Sequence, residues 1–308
     1  YPDTVDGLPA ASRYSLITLE GSALVLVGGW VAFSPHEDWR IGMGLQALVG
    51  RFVATTFFGS CVPERFLCAP EQPDWDALAR LEAGPIFAPT GNVGVQYRPH
   101  DMVQLGASFQ APIIIRAPAT LQVRLPATAA FETASIEGEE ADVGFDLPWA
   151  LRVGIEVRPV DGLRLELDGS IEGWSMHDEM TLVPNGIHIR NIPGFPDPYI
   201  VPSQSIPRNF RDAYAVRLGG EYTQPIDDFA LTGRLGVGYE TSAVPDDYLS
   251  VLTVDLPKVT LGVGLGLGYE AWRFDIVYAH IFGQDVDVDP RDAKVPLLQP
   301  VRANQSEP

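Results

Sequence analysis

From Val259 to Tyr269 every second residue is large and apolar: Val259, Leu261, Val263, Leu265, Leu267 and Tyr269. Between them stand Thr260, Gly262, Gly264, Gly266, Gly268 and, after the last, Glu270. A period of two is the mark of a β-strand, because successive side chains point to opposite faces. The pattern recurs. Phe229, Leu231, Leu235, Val237 and Tyr239 alternate with Ala230, Thr232, Arg234, Gly236, Gly238 and Glu240. Leu163, Leu165, Leu167 and Ile171 alternate with Arg164, Glu166, Asp168, Ser170 and Glu172, and Trp149, Leu151, Val153, Ile155 and Val157 with Ala150, Arg152, Gly154, Glu156 and Arg158. These runs outlast the usual strand of about 5–6 residues. One face is apolar, the other is charged or glycine, and aromatics sit near the ends. That combination predicts an all-β fold, an antiparallel transmembrane β-barrel with its apolar face toward lipid and its polar face toward a lumen.

Composition is consistent with this and excludes other classes. The chain has 308 residues, room for one large β-domain, and no domain boundary is evident across residues 1–308. No apolar run approaches the roughly 20 residues of a transmembrane helix; the longest, Ala23–Phe33, is interrupted by Gly28 and Gly29. Thirty glycines and 27 prolines suit many strands and turns. A net charge of −19 argues against nucleic acid as a partner. Much of the acid lies between strands, as in Glu137, Glu139, Glu140, Asp142, Asp246 and Asp247, where it reads as a solvated surface able to attract divalent cations. The two cysteines, Cys61 and Cys68, share one segment outside any strand pattern, which predicts a local disulfide in an oxidising compartment. The chain begins at Tyr1 without Met or a signal peptide, so processing or truncation of the natural start is expected.

Connections alternate between short and long. Ser34–Asp38, Arg98–Asp101, Arg158–Gly162 and Gln224–Asp228 each combine Pro with Asp, the chemistry of tight turns, and a fifth short turn lies near Ala271-Trp272-Arg273. Long connections are expected over about Phe58–Gly84, Arg116–Asp142, Asp178–Asn209 and Ser242–Pro257. Short turns at one end and long loops at the other is the outer-membrane arrangement, with turns on the periplasmic side. Ten strands follow, roughly at 17–33, 39–57, 86–98, 102–115, 143–158, 163–177, 211–223, 229–241, 258–270 and 273–285. An even count starting downward ends on the outer side, which hints at a missing final strand.

Several segments together resemble a known family. Gly94-Val95-Gln96-Tyr97-Arg98-Pro99 followed by Leu105-Gly106-Ala107-Ser108-Phe109 is one hairpin; Leu147-Pro148-Trp149 leading through Arg152-Val153-Gly154 to Trp174 is the next. A third runs from Asn209-Phe210-Arg211-Asp212-Ala213-Tyr214 through Arg217-Leu218-Gly219-Gly220-Glu221-Tyr222 and Gly236-Val237-Gly238-Tyr239-Glu240 to Val244-Pro245-Asp246 and Leu261–Gly266. In this order they resemble the FadL/TodX-type outer-membrane transporters of long-chain fatty acids and hydrocarbons, over most of residues 15–285. The resemblance implies a monomeric barrel of about fourteen strands, an N-terminal hatch, and a kinked strand that opens a lateral passage from lumen to lipid. The ten strands here match the fourth to the thirteenth of that plan; the hatch, its Asn-Pro-Ala-Gly type motif, the first three strands, the kinked gate strand and the last strand have no counterpart.

Enzyme chemistry is not expected. His36, His100, His177, His188 and His280 are scattered and lack metal-ligand spacing, so neither a metal nor a cofactor is expected. The Gly262–Gly268 run is not a dinucleotide loop, since its glycines alternate within a strand and no helix follows. Such glycines on the lumen face leave room for a ligand or plug. Two long connections are unusually apolar. The first carries Phe66, Leu67, Trp75, Leu78 and Leu81, with a short helix expected over Pro73–Leu81; the second carries Ile187, Ile189, Phe195 and Tyr199. They are candidate landing sites for an amphipathic substrate, against the competing expectation that they pack the loops together. In the lumen, Arg152, Arg217 and Arg234 are candidates for a carboxylate headgroup, against salt bridges to Glu156, Glu221 and Glu240. The expected function is passive uptake of long-chain fatty acids or other hydrophobic small molecules across the bacterial outer membrane, in contact with outer-membrane lipid. The alternative is a structural or adhesin-type barrel whose acidic loops bind cations or partners.

Overall fold

A computed structural model of the chain describes residues 17–59, 73–192, 195–250 and 253–289, together with residues 4–5, 8–9, 13, 292 and 294. The principal strands are β1 (Ala23–His36), β2 (Trp39–Gly59), β3 (Asp76–His100), β4 (Val103–Gln110), β5 (Ile113–Arg124), β6 (Glu140–Leu147) and β7 (Ala150–Val160). They continue with β8 (Leu163–Glu172), β9 (Glu179–Pro184), β10 (Gln204–Pro207), β11 (Ala213–Ile226), β12 (Phe229–Glu240), β13 (Lys258–Tyr269) and β14 (Trp272–Gly283). Pairing is antiparallel throughout one large sheet. Each expected strand segment carries a strand.

The sheet has two storeys. The lower runs in the order β1-β2-β3-β4-β7-β8-β11-β12-β13-β14. The upper runs from the first half of β3 through β5, β6 and β9 to β10. Four strands therefore cross between storeys with a break: β4 to β5 at Ala111-Pro112, β6 to β7 at Pro148-Trp149, β8 to β9 at residues 173–178, and β10 to β11 at residues 208–212. Strands β2 and β3 cross together at a pair of glycines. Gly50 (φ 141°) and Gly84 (φ 150°) occupy backbone conformations that side chains disfavour, and the register slips between Gly50 and Phe52.

At the lower end the turns are short. Pro35, Pro99 and Pro159 stand where the ladder slips, between Phe33 and His36, Tyr97 and His100, and Val157 and Val160. A proline has no N–H to give, so the slip costs no bond. The next residue then closes two of these turns: Asp38 N donates to His36 Nδ1 (3.4 Å) and Met102 N to His100 Nδ1 (3.2 Å). Asp227 (φ 50°) and Glu270 (φ 50°) take left-handed conformations in the turns before β12 and β14. Above these turns lie aromatic stacks, Trp39 on Tyr97 (4.4 Å) and Phe229 on Tyr269 (4.7 Å), which form the aromatic girdle of one membrane interface. Leu235, Leu265 and Ile276 are 68%, 60% and 71% exposed on one face. In water such a stripe would be a liability; against lipid it is the required surface.

The structure corrects two expectations about the long connections. No helix forms over Pro73–Leu81: Pro73–Trp75 is a single 3-10 turn and β3 begins at Asp76. Leu78 pairs with Phe57 on one side and Arg124 on the other, so the backbone is satisfied from both flanks. An isolated helix of that length is marginal in water. Likewise Arg116–Asp142 and Asp178–Asn209 are not wholly loops, for β5 runs to Arg124, β6 starts at Glu140, and β9 and β10 pair with each other. Cys61 and Cys68, with Phe66 and Leu67, lie outside the described residues.

The core sits in the upper storey. Leu48, Ile86, Ile115, Leu121, Val143 and Ile187 form a buried cluster, with Ala83, Ala88, Ala117, Ala119 and Ala141 letting the strands approach. A small sheet of Ser135–Glu137, His188–Arg190 and Tyr199–Ile200 joins two long connections, and its Ile136 and the neighbouring Val201 pack on the cluster. Ile115 is 1% exposed and its neighbour Ile114 is 53% exposed. Ile115→Ala is expected to lower unfolding free energy by about 2–5 kcal/mol, and Ile114→Ala by less than about 0.5 kcal/mol. Urea titration of the refolded protein measures both; equal effects would show that the cluster is not the core.

Candidate functional site

On the lower storey the polar face gathers charge into two rows running across the strands. The first joins Arg158 to Glu156 (2.7 Å), Glu156 to Arg164 (3.5 Å), Arg164 to Glu221 (3.7 Å), Glu221 to Arg234 (2.6 Å) and Arg234 to Asp275 (2.7 Å). The second joins Asp168 to Arg217 (3.1 Å), Arg217 to Glu240 (3.5 Å), Glu240 to Lys258 (2.6 Å) and Lys258 to Asp255 (3.2 Å). The links between Glu156 and Arg164, Arg164 and Glu221, Glu221 and Arg234, Asp168 and Arg217, Arg217 and Glu240, and Glu240 and Lys258 span neighbouring strands, because opposed or diagonal residues on one face lie within side-chain reach. Arg234 also reaches past β13 to β14. It does so over Gly264 and Gly266, where a Cβ at Gly266 would meet Asp275 Oδ1 and Arg234 Nη1. The glycine run therefore makes room for an ion pair at this point.

Of the three lumen candidates, Arg217 bridges Glu240 and Arg234 bridges Glu221, two of the three acids named as competitors for a headgroup. Arg152 turns instead to Glu172 (3.9 Å), since Glu156 is taken by Arg158 and Arg164. Arg40, Gln96, Arg152, Glu156 and Arg217 share one groove of about 940 Å³, bounded at its far side by Trp30. One groove reaching from β1 to β11 requires the sheet to curl around its polar face.

Above the rows the inner face turns apolar. Ile187 is 1% exposed within the buried cluster, and Leu81 from the other candidate loop packs against the same cluster. Trp75 meets Phe131 edge-on (6.4 Å), and Leu78 is half-buried beside it on β3. Phe195 meets Tyr199 edge-on (5.3 Å), while Ile189 pairs with Ile136 and Tyr199 in the small sheet. The two candidate loops thus converge on one apolar mass, reached by Ile187 from one side and Leu81 from the other.

Sequence reasoning missed the residue at the boundary between these zones. Arg208 lies between β10 and β11, and its Nη2 reaches Met180 Sδ (3.2 Å) while its buried Nε has no hydrogen-bond partner. No carboxylate bridge to Arg208 is found among the described residues, and burial pushes its guanidinium below the usual arginine range. Met180 directly precedes Thr181, whose pairing with Gly144 ends the β6–β9 ladder, and Phe145, next to Gly144, packs on the buried cluster, so this cation lies close to the apolar cluster. Beside it, Trp174, His177 and Phe210 form an aromatic trio with centroids 5.2–6.3 Å apart. His177 is 7% exposed, and its Nδ1–H donates to the Asp146 carbonyl (2.7 Å). No sequence signal marks Arg208: it follows Pro207, and the register sets it beside Asp178 and Glu179, so its lack of a carboxylate bridge is legible only from side-chain geometry.

His177 carries a pH consequence. Burial lowers its pKa and Arg208 adds to the effect, outweighing the Asp146 carbonyl and the Asp146 and Asp178 charges, which raise it. A depressed imidazole binds fewer protons folded than unfolded, so stability falls as pH drops through about 6.5, the ordinary value, toward the folded one. Amide protection factors over residues 174–178, taken relative to the intrinsic exchange rate at each pH, are expected to fall between neutral and mildly acidic pH, and His177→Gln to flatten that dependence. A flat profile in the wild-type protein would show that this imidazole is not held neutral by the fold.

Comparison with known proteins agrees with this architecture. The family model for "Outer membrane protein transport protein (OMPP1/FadL/TodX)" matches residues 17–307. No curated protein matches. Among solved structures, a FadL homologue of Pseudomonas aeruginosa is similar over 89% of this chain and 62% of its own, at 16% identity and a TM-score of 0.65. The CymD monoaromatic hydrocarbon channel is similar over 87% of this chain and 72% of its own, at 16% identity and a TM-score of 0.53. The toluene transporter TodX of Pseudomonas putida covers 84% and 64%, at 16% identity and a TM-score of 0.52. At these identities the likeness is one of fold, and the chain spans about 62% of the length of the first. With the family model matched over residues 17–307, the chain belongs to the FadL/TodX family of outer-membrane transport proteins, β-barrel proteins of the Gram-negative outer membrane.

Proposed function

We propose that this chain supplies the wall and outer loops of a passive conduit for hydrophobic small molecules, and that long-chain fatty acids are the cargo its chemistry fits best. The observation that carries the reading is Arg208: a half-buried guanidinium with an unpartnered Nε at the edge of an apolar cluster. An acyl chain placed against Leu81, Phe145 and Ile187 would bring a carboxylate to that cation, where a charge-assisted bond replaces lost hydration. The wall cations below serve this purpose less well, because Arg152, Arg217 and Arg234 are already engaged by acids. In this scheme the apolar residues Trp75, Leu78, Ile189, Phe195 and Tyr199 receive the chain from outside. The paired rows give the descending headgroup a polar surface on which most charges are matched. No energy source is implied, since transfer runs down the cargo's own gradient.

Arg208→Gln should weaken oleate binding by about 1.5–3 kcal/mol, roughly tenfold to a hundredfold in Kd, with Arg208→Lys retaining part of it and toluene binding unchanged. Titration of detergent-solubilised protein with each compound reads this directly. Oleate affinity indifferent to both substitutions would remove the carboxylate from the proposal and leave an uncharged cargo.

A further inference from the structure

Among the described residues, Arg40 is the one guanidinium on the lumen face of the lower wall that bridges no carboxylate. The others on that face, from Arg98 on β3 to Arg273 on β14, each hold an acid. Alternation puts Trp39 on the lipid face, where it stacks on Tyr97, and so turns Arg40 inward. There Arg40 Nη1 donates to Gln96 Oε1 (2.8 Å), a neutral amide on the facing strand β3. The acid nearest below, Asp38 in the turn, sits beside His36 (3.3 Å) instead. In a chain of net charge −19, a cation left with only an amide is a local exception.

Above Arg40 the wall is bare and then closed by a ring. The inward positions of β2 run Arg40, Gly42, Gly44, and their partners on β3 run Gln96, Gly94, Asn92. Gly42 and Gly94 stand opposite each other. A Cβ at Gly42 would meet nothing closer than Val31 O at 3.8 Å, and one at Gly94 nothing closer than Ala107 O at 3.5 Å, so this patch is exposed backbone with room above it. Gly44 is covered. Trp30 of β1 lays its indole Cδ1 and Nε1 where a Cβ of Gly44 would stand, with Asn92 Oδ1 beside them. Ala32 on β1 and Ser108 on β4 flank the bare pair. The side chains of Asn92 and Ser108 make no hydrogen bond with the described residues. Trp30, Ala32, Arg40, Gly42, Gly94 and Ser108 all line the groove of about 940 Å³, and Trp30 is 59% exposed within it. Four residues separate Gly44 from Arg40, about 13 Å along the strand.

One ligand class uses all three features of this bay together. Its floor is backbone alone, which admits a flat body close against the sheet. Its upper wall is an indole, whose face stacks with another ring in an offset arrangement. Its foot is an uncompensated guanidinium, whose fork matches a carboxylate. We infer that the bay binds a small aryl monocarboxylate of the benzoate or naphthoate class, with its ring over Gly42 and Gly94 against Trp30 and its carboxylate on Arg40. A long alkyl chain fits less well, because Trp30 closes the bay about 13 Å above Arg40. An uncharged arene leaves the guanidinium unanswered, and an organic cation is repelled by it. The site is separate from Arg208, which lies between β10 and β11. It adds a second kind of acid to the cargo, and whether oleate binds at Arg208 does not bear on it.

The test is titration of the detergent-solubilised protein with 2-naphthoate. Cyclohexanecarboxylate carries the charge without the aromatic face, and naphthalene the aromatic face without the charge. Arg40→Gln should weaken 2-naphthoate binding by at least about tenfold in Kd and leave naphthalene binding unchanged. Arg40→Lys should recover part of the loss, since a point charge lacks the fork. Trp30→Leu should weaken 2-naphthoate more than cyclohexanecarboxylate, and Trp30→Phe should restore most of the difference. Gly42→Val keeps the charge but fills the floor, and should abolish binding of both acids. Arg208→Gln should leave 2-naphthoate untouched. Wild-type protein that does not bind 2-naphthoate, or that binds it with an affinity indifferent to Arg40→Gln, overturns the site. Loss of 2-naphthoate in Arg208→Gln but not in Arg40→Gln overturns it as well, and assigns the acid to the other cation. Equal losses of the two acids in Trp30→Leu overturn the aryl assignment.

Discussion

A strand wall facing hydrocarbon must satisfy its backbone from its own neighbours, because lipid offers no hydrogen-bond partner. Nearly every feature of this chain answers to that constraint. Alternation keeps the strands registered, and the short turns return each strand to its neighbour with a slip only where proline has no N–H to lose. Strands β2 and β3 pair over their whole lengths except at the Gly50 slip, so even the part above the membrane is held from both sides. The cluster around Ile115 can be small because the backbone, rather than the core, does most of the holding.

Polar and apolar work are separated by height. Low on the wall, carboxylates and guanidiniums are matched almost one to one across strands, and glycines such as Gly266 are spaces through which a long arginine reaches its partner. Higher up, the alternation changes meaning: one face packs inward against loops, and small residues such as Ala83 and Ala117 allow that approach. Arg208 and the aromatic trio mark the level at which one regime gives way to the other.

How much of this was legible follows from what each signal depends on. Strand faces and turns were legible because period and proline are local properties. The extension of β3 down to Asp76 was not: Ala77-Leu78-Ala79-Arg80-Leu81 has good helix formers, and only pairing with residues 52–59 and 119–124 makes it a strand. The lumen arginines could be placed on the polar face from parity, yet whether each was paired depended on register, which moved Arg152 from Glu156 to Glu172.

The two charge rows have a mechanical meaning as well. Backbone bonds tie each strand to its neighbour, but they do so repeatedly along a direction in which a strand could slip by one pair and find similar partners. A row such as Glu156–Arg164–Glu221–Arg234–Asp275 matches only in one alignment, so it acts as a hoop around staves and resists sliding. Load on the wall would therefore be shared around the hooped strands rather than borne by any one of them.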